Sequence, residues 1–204
     1  MYIAFGAKGA LAWRASKRYS APMRSDEHEP EAFANLHAPW RMEYIRLLSG
    51  SGDGCFLCHA RDDAAHEAEN LVLWRTAKCI VLMNRFPYAG GHLLISPLEH
   101  VGELGQVPPE TLTEMMALAS DSTAVLAKVL RAEGFNIGLN IGRCAGAGLP
   151  GHLHLHVVPR WNNDTNFMAV LGDVRVIPQA LEELRQHLLQ EGLRMKRPKA
   201  LYEP

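Results

Sequence analysis

No apolar run in the 204 residues is long enough to span a bilayer, and the formal net charge is only −1. The first absence argues against a membrane span, and the second removes the broad positive field that a nucleic-acid backbone calls for. Polymeric nucleic acid and membranes are therefore not expected partners. Cysteine is scarce as well: Cys55, Cys58, Cys79 and Cys144 stand in a chain with no signal-peptide pattern. A disulfide framework is not expected, and a reducing, cytoplasmic setting fits. Internal repeats and low-complexity tracts are also missing, which excludes solenoids and propellers.

Acidic residues are missing from the first 24 positions, where Lys8, Arg14, Lys17, Arg18 and Arg24 stand before the acidic run DEHEPE. This composition boundary marks residues 1–35 as an N-terminal extension. A disordered arm, a targeting peptide or a stretch added by a wrongly chosen start codon shares that composition. Residues 36–204 form one folded unit, and at 48% hydrophobic the chain can bury a substantial core.

Within that unit ENLVLW (69–74), KCIVLMN (78–84) and HLLISP (92–97) are short apolar or β-branched runs, the last two joined by the turn FPYAGG. They predict three consecutive antiparallel strands. From Pro108 to Arg131 the residues Leu112, Met115, Met116, Ala119, Val125, Leu126 and Val129 recur near helical spacing and predict one long amphipathic helix. FNIGLNIG (135–142) and HLHLHVVP (152–159) alternate with period two and predict strands four and five. IPQALEELRQHLLQEGL (177–193) predicts a C-terminal helix with Leu181, Leu184, Leu188 and Leu189 on one stripe. The order points to an α+β fold with a mostly antiparallel five-stranded sheet. MKRPKALYEP reads as a solvated tail or a dimer arm, and the polar stretch after Trp161 as a loop crossing the sheet edge.

Three histidines interrupt the last strand. Side chains alternate along a strand, so His152, His154 and His156 share one face while Leu153, Leu155 and Val157 take the other. A lone histidine in a strand is usually a satisfied, partly buried ring; three in register make a polar working surface. Neutral imidazole is a good nucleophile near neutral pH, and its second nitrogen can be fixed by a backbone carbonyl. Phosphoryl or nucleotidyl transfer uses such a group. The loop before the strand carries Gly142, Gly146, Gly148 and Gly151, whose small size lets backbone amides approach an anion. Elsewhere, Cys55-Phe-Leu-Cys58 has the two-residue spacing that lets two thiolates grip one tetrahedral ion, though one pair is half a site. A redox pair or an inert pair of small apolar residues would look the same.

The run His152-Leu-His154-Leu-His156-Val157-Val158 resembles the signature of the histidine triad, or HIT, superfamily, with NRFPYAGGHLLISP resembling its upstream strand-turn-strand. APWRMEYI (38–45), the CxxC pair and PRWNNDTNFM (159–168) are similar to the bacterial branch of diadenosine tetraphosphate phosphorylases and hydrolases. The resemblance implies a HIT-like half-barrel with one long helix and a C-terminal helix, pairing as a homodimer. It implies His154 as the nucleophile that forms a nucleotidyl-histidine, with His156 and His92 in supporting roles. Asn84 matches a ribose-binding position and Asn140 a phosphate-region position, each also open to a strand-end turn role. Gly146, Gly148, Gly151 and His156 would bind phosphate. Many relatives carry a serine or glutamine before the triad; Ala147, Gly148 and Leu149 offer no such side chain.

Zinc-bearing HIT proteins and the related galactose-1-phosphate uridylyltransferases complete a CxxC site with a histidine beyond the third strand and the first triad histidine. By this resemblance the metal ligands are Cys55, Cys58, His100 and His152, with His59 and His66 as nearer alternatives. A set of four protein ligands is structural. The expected function is cleavage of dinucleoside polyphosphates with water or phosphate as acceptor, needing no organic cofactor. Hydrolysis of nucleoside phosphoramidates and a nucleotide-binding module with weak activity are the rivals.

Overall fold

The computed structural model describes residues 54–162, 164 and 180–202. The expected extension over 1–35, its boundary, the branch-like stretch 38–45 and most of the segment after Trp161 lie outside the described residues. Those described run through α1 (Phe56–Asp62), β1 (Val72–Arg75), β2 (Cys79–Met83), β3 (Leu93–Pro97), α2 (Pro109–Leu130), β4 (Gly134–Leu139), β5 (Leu155–Arg160) and α3 (Leu181–Met195). The strands form one antiparallel sheet in the order β1-β2-β3-β5-β4. The α+β class with a five-stranded antiparallel sheet, one long helix and a C-terminal helix is thus the one expected.

Alternation divides the sheet into two working faces. Cys79, Val81, Met83, Leu93, Ile95, Leu155 and Val157 meet Met115, Leu118, Val125 and Leu126 of α2 and Leu184 and Leu188 of α3. The opposite parity, Ile80, Leu82 and Leu94, meets Leu57 and Ala60 of α1 in a smaller cluster. Each large aliphatic side chain buried this way contributes roughly 1.5–3 kcal/mol, so the helix-backed face dominates stability. The other face is left to carry chemistry.

Several expectations need correction. The expected fifth strand begins at His152, but β5 begins at Leu155, because β3 pairs only as far as Ile95↔Leu155. Upstream, the Ser96 hydroxyl donates to the Leu153 carbonyl at 2.9 Å and the Leu153 amide donates to Val101, which replaces the ladder. Met116 was expected in the buried stripe but is 56% exposed. It follows Met115 by a 100° turn of the helix, and the core side is completed instead by Leu118, Asp121 and Ser122. The expected C-terminal helix starts later, at Leu181, and reaches Met195. The segment beyond it is not a solvated tail: Asp121 of α2 accepts from Arg197 and, at 2.7 Å, from the Lys199 amide.

α1 has no counterpart among the elements predicted from sequence. Its first cap is Cys55, whose sulfur accepts from the Cys58 amide at 3.4 Å, and only Leu57 and Ala60 bury. Seven residues are too few for a self-supporting helix, so packing and tertiary hydrogen bonds hold it.

One glycine fixes how β3 begins. Gly91 sits at φ +83°, and a Cβ there would lie 2.4 Å from Leu130 Cδ1 and 3.0 Å from Leu126 Cδ2. The turn before His92 therefore lies directly on α2. Gly91→Ala combines a left-handed strain with overpacking, and we expect it to cost roughly 2–4 kcal/mol. Urea unfolding measures this; a midpoint unchanged by the substitution would show that the turn tolerates a side chain.

Candidate functional site

On the sheet face opposite α2 and α3, five histidines and two thiols gather along the approach to β5. The register Leu94↔His156 between β3 and β5 brings the residue before β3, His92, beside the third triad histidine. His92 Nε2 lies 2.9 Å from His156 Nδ1, and the rings are 5.1 Å apart between centroids. His154 and His156 meet edge to face at 4.9 Å.

The hydrogen bonds assign the protons. The Tyr88 amide donates to His92 Nδ1 at 3.1 Å, so that nitrogen is the acceptor and Nε2 carries the hydrogen of the neutral ring. His92 Nε2–H then donates to His156 Nδ1, which places the His156 proton on Nε2. Asn140 Nδ2 lies 3.4 Å from that nitrogen; turning the amide by half a turn presents its oxygen, as the tautomer requires. His154 is set the opposite way: its Nδ1–H donates to the His152 carbonyl at 2.8 Å, leaving the lone pair on Nε2. Burial, only partly opposed by that hydrogen bond, holds the His154 pKa below the usual histidine value. The ring is thus a neutral nitrogen base with its lone pair directed away from the backbone.

His152 faces the other way along the same run. It is buried, its Nε2–H donates to the Pro97 carbonyl at 2.9 Å, and its Nδ1 lies 3.1 Å from Cys55 Sγ and 3.5 Å from Cys58 Sγ. Cys58 Sγ lies 3.2 Å from His100 Nδ1, and the four donor atoms lie within 4.8 Å of one another. Tetrahedral coordination with the usual zinc–sulfur and zinc–nitrogen lengths separates S from N by ~3.5 Å, so the spacing suits one ion. Burial pushes the Cys55 thiol up to about 11 and, first among several causes, lowers His152. The imidazole is therefore neutral and ready to ligate, while the thiol needs a cation to displace its proton. The carbonyl of Pro97 fixes the ligating tautomer.

The alternative ligands His59 and His66 do not join this cluster. Both are exposed and turn to Asp63, His66 Nδ1 at 2.7 Å and His59 Nε2 at 3.8 Å. The carboxylate, as a hydrogen-bond partner before its charge acts, raises the His66 pKa.

The glycine-rich loop makes a 3-10 turn over Arg143–Ala145, flanked by Gly142 at φ +81° and Gly146 at φ +86°. The Gly146 amide donates to the Arg143 carbonyl at 3.0 Å and the Ala147 amide to Gly142 at 3.3 Å. Those two N–H groups are engaged within the turn. The amides of Gly148 and Gly151 donate to no backbone carbonyl among the described residues.

Asn84 stands beside His92, its Nδ2 3.2 Å from His92 Nδ1, while its Oδ1 accepts from the Phe86 amide at 2.9 Å. Its amide thus braces the turn. Reading the sequence missed Tyr88, whose ring lies 4.7 Å from His92 and 5.9 Å, nearly parallel, from His156. The stretch FPYAGG signals only a turn, and nothing in its spacing places the aromatic ring over two histidines. Trp161 docks by donating from Nε1 to the Leu130 carbonyl at 3.1 Å.

Residues 65–163 match the HIT domain family. An AP-4-A phosphorylase of Mycobacterium tuberculosis is 41% identical over 128 residues, covering 63% of this chain and 66% of the relative, so the match falls just short of two thirds of its length. An uncharacterised HIT-like protein of the same organism is 30% identical over 100 residues, 49% of this chain and 69% of its own length. The crystal structure of a zinc-bound histidine triad family protein from Mycobacterium smegmatis is 26% identical, with a TM-score of 0.58, covering 70% of this chain and 96% of that one. With the triad, its hydrogen-bonded partners and these likenesses in agreement, the chain belongs to the histidine triad (HIT) family.

Proposed function

We propose that this protein is an enzyme that cleaves dinucleoside polyphosphates through a nucleotidyl-histidine on His154. The observation that carries the reading is the His154 Nδ1–His152 carbonyl bond, which presents a neutral lone pair at Nε2. The similarity to an AP-4-A phosphorylase supports the substrate class. His154 Nε2 attacks an α-phosphorus, the P–N bond forms, and the bond to the bridging oxygen breaks with its electron pair leaving on the polyphosphate. Water or inorganic phosphate then attacks the same phosphorus, the P–N pair returns to Nε2, and where water is the acceptor one of its protons passes to solvent. His156, its proton on Nε2 through the His92 bond, supplies a donor to the phosphate oxygens. Gly148 and Gly151 amides add neutral donors in place of the absent serine or glutamine side chain. Asn140 borders His156, and Asn84 holds the turn that sets His92; both stay candidates for contact with the nucleotide.

Cys55, Cys58, His100 and His152 hold a structural zinc in this reading, which the S2N2 donor set and its spacing support. The ion ties α1 and the segment after β3 to the residue whose carbonyl sets His154. Zinc supplies cohesion, and the chemistry belongs to the triad.

A homodimer and a cytoplasmic location complete the reading. β4 lies at the sheet edge, and α2 lies over β2, β3 and β5, leaving Ile137 of β4 42% exposed. A second copy laid along β4 would cover it. The four cysteines are free, as a reducing compartment requires, and no helix among the described residues is long and apolar enough to cross a membrane.

Incubation with diadenosine tetraphosphate tests the activity. ADP plus ATP formed only with phosphate identifies phosphorolysis, and AMP plus ATP without it identifies hydrolysis. His154→Gly is expected to lower turnover by at least about 10³-fold while nucleotide binding stays detectable; near-normal turnover would end the nucleophile assignment. His100→Ala should lower the zinc content measured by atomic emission and the melting temperature, and full retention of zinc would remove His100 from the ligand set. Ile137→Lys should shift the sedimentation coefficient from dimer to monomer; an unchanged dimer would place the interface elsewhere.

A further inference from the structure

Two arginines outside the ligand set grip the helix that carries the thiols. Arg75, at the end of β1, donates from Nη1 to the Arg61 carbonyl and from Nη2 to the Ala60 carbonyl, both at 2.8 Å, while its Nε meets Glu67 at 3.2 Å. These carbonyls belong to the last turn of α1, where no intrahelical donor remains for them. Arg61 donates from Nη1 to the Leu98 carbonyl at 2.7 Å, and its Nε and Nη2 fork onto Asp62 at 2.6 and 2.8 Å.

Leu98 stands two residues before His100, and the carbonyl next to it, Pro97, anchors His152. Arg61 therefore joins the element bearing Cys58 to the segment that carries one histidine ligand and fixes the other. Arg75 acts differently: of α1 it touches only the Ala60 and Arg61 carbonyls, and its Nε turns to Glu67.

We propose that Arg61 and Arg75 are positioning residues of the metal cradle, docking α1 so that Cys55 and Cys58 face His100 and His152 before an ion arrives. This rests on the zinc reading above. A seven-residue helix left unclamped would have to be ordered by the ion itself, and that ordering would subtract from the affinity. A preset cradle avoids the loss.

The test uses the full chain and its Arg61→Gln, Arg61→Lys and Arg75→Gln variants. Zinc affinity is read by competition with a chromophoric chelator, and amide hydrogen exchange over residues 54–63 is read in the metal-free protein. Arg61→Gln and Arg75→Gln are each expected to weaken zinc binding by ~10–100-fold, the range for groups that orient metal ligands, and to speed exchange in α1. Arg61→Lys, which keeps the charge and loses the fork, should recover part of the affinity. Affinity and exchange within twofold of the unaltered protein in both Gln variants would overturn the proposal, as would weaker binding with unchanged exchange. If the unaltered chain takes up no zinc, the metal reading itself falls, an outcome distinct from variants that match a zinc-binding parent. Should Arg75→Gln lose its near-ultraviolet dichroism, Arg61→Gln, whose side chain is already 32% exposed, carries the test.

Discussion

His152 is the residue on which the rest of the site depends, because three of its groups are each committed to a different part of the fold. Nε2–H donates to the Pro97 carbonyl, Nδ1 faces Cys55, and the backbone carbonyl receives the His154 Nδ1 proton. A net hydrogen bond contributes only ~1 kcal/mol, yet a buried polar group left without its partner costs ~1–3 kcal/mol. The ring cannot leave its place cheaply. The carbonyl that sets the His154 tautomer is therefore as well fixed as the thiols and β3 can make it.

The sheet makes this possible by keeping stability and chemistry on opposite faces. Leu155 and Val157 reach the core under α2 and α3, while His156 between them faces His92. A register slip of one residue would exchange the two sets, burying His156 under the helices and exposing Leu155 and Val157. The hydrophobic cost of that exchange, roughly 1.5–3 kcal/mol for each large side chain, holds His156 in register in addition to its bond with His92. Positioning of the reactive face is in this sense a by-product of packing the other.

Much of this was legible because period two and period 3.6 leave clear marks. The strand cores, α2 and the stripe of α3 follow from them, while the grouping of His92 with His156 came through the family resemblance. What escaped reading depends on contacts across the fold. α1 has a cysteine cap and two buried residues, too little periodicity to declare a helix. Met116 looks like its neighbour Met115 until the helix rotation is fixed by Leu118 and Val125. Glycines announce freedom and not direction, so Gly146 turning its amide into the loop was invisible, as was the Tyr88 ring over two histidines. Arg61 and Arg75 look like ordinary surface charges until their carbonyl partners are seen. The Cys2His2 cluster was read through resemblance, since the CxxC spacing alone supplied half a set.

The same side chain performs two opposite tasks here, and the backbone decides which. At His92 the chain presents an N–H, from Tyr88, so the proton moves to the far nitrogen and passes as a donor through His156 toward the phosphate side. At His154 the chain presents a carbonyl, so the proton stays near the backbone and a lone pair faces outward. An outward N–H and an outward lone pair thus come from one residue type without any charged group to enforce the difference. For the proposed phosphate substrate this matters, because a carboxylate orienting His154 would repel an anion approaching the ring. A carbonyl held by a buried residue orients the ring with no net charge, and the neutral donors around it are left to meet the substrate's own.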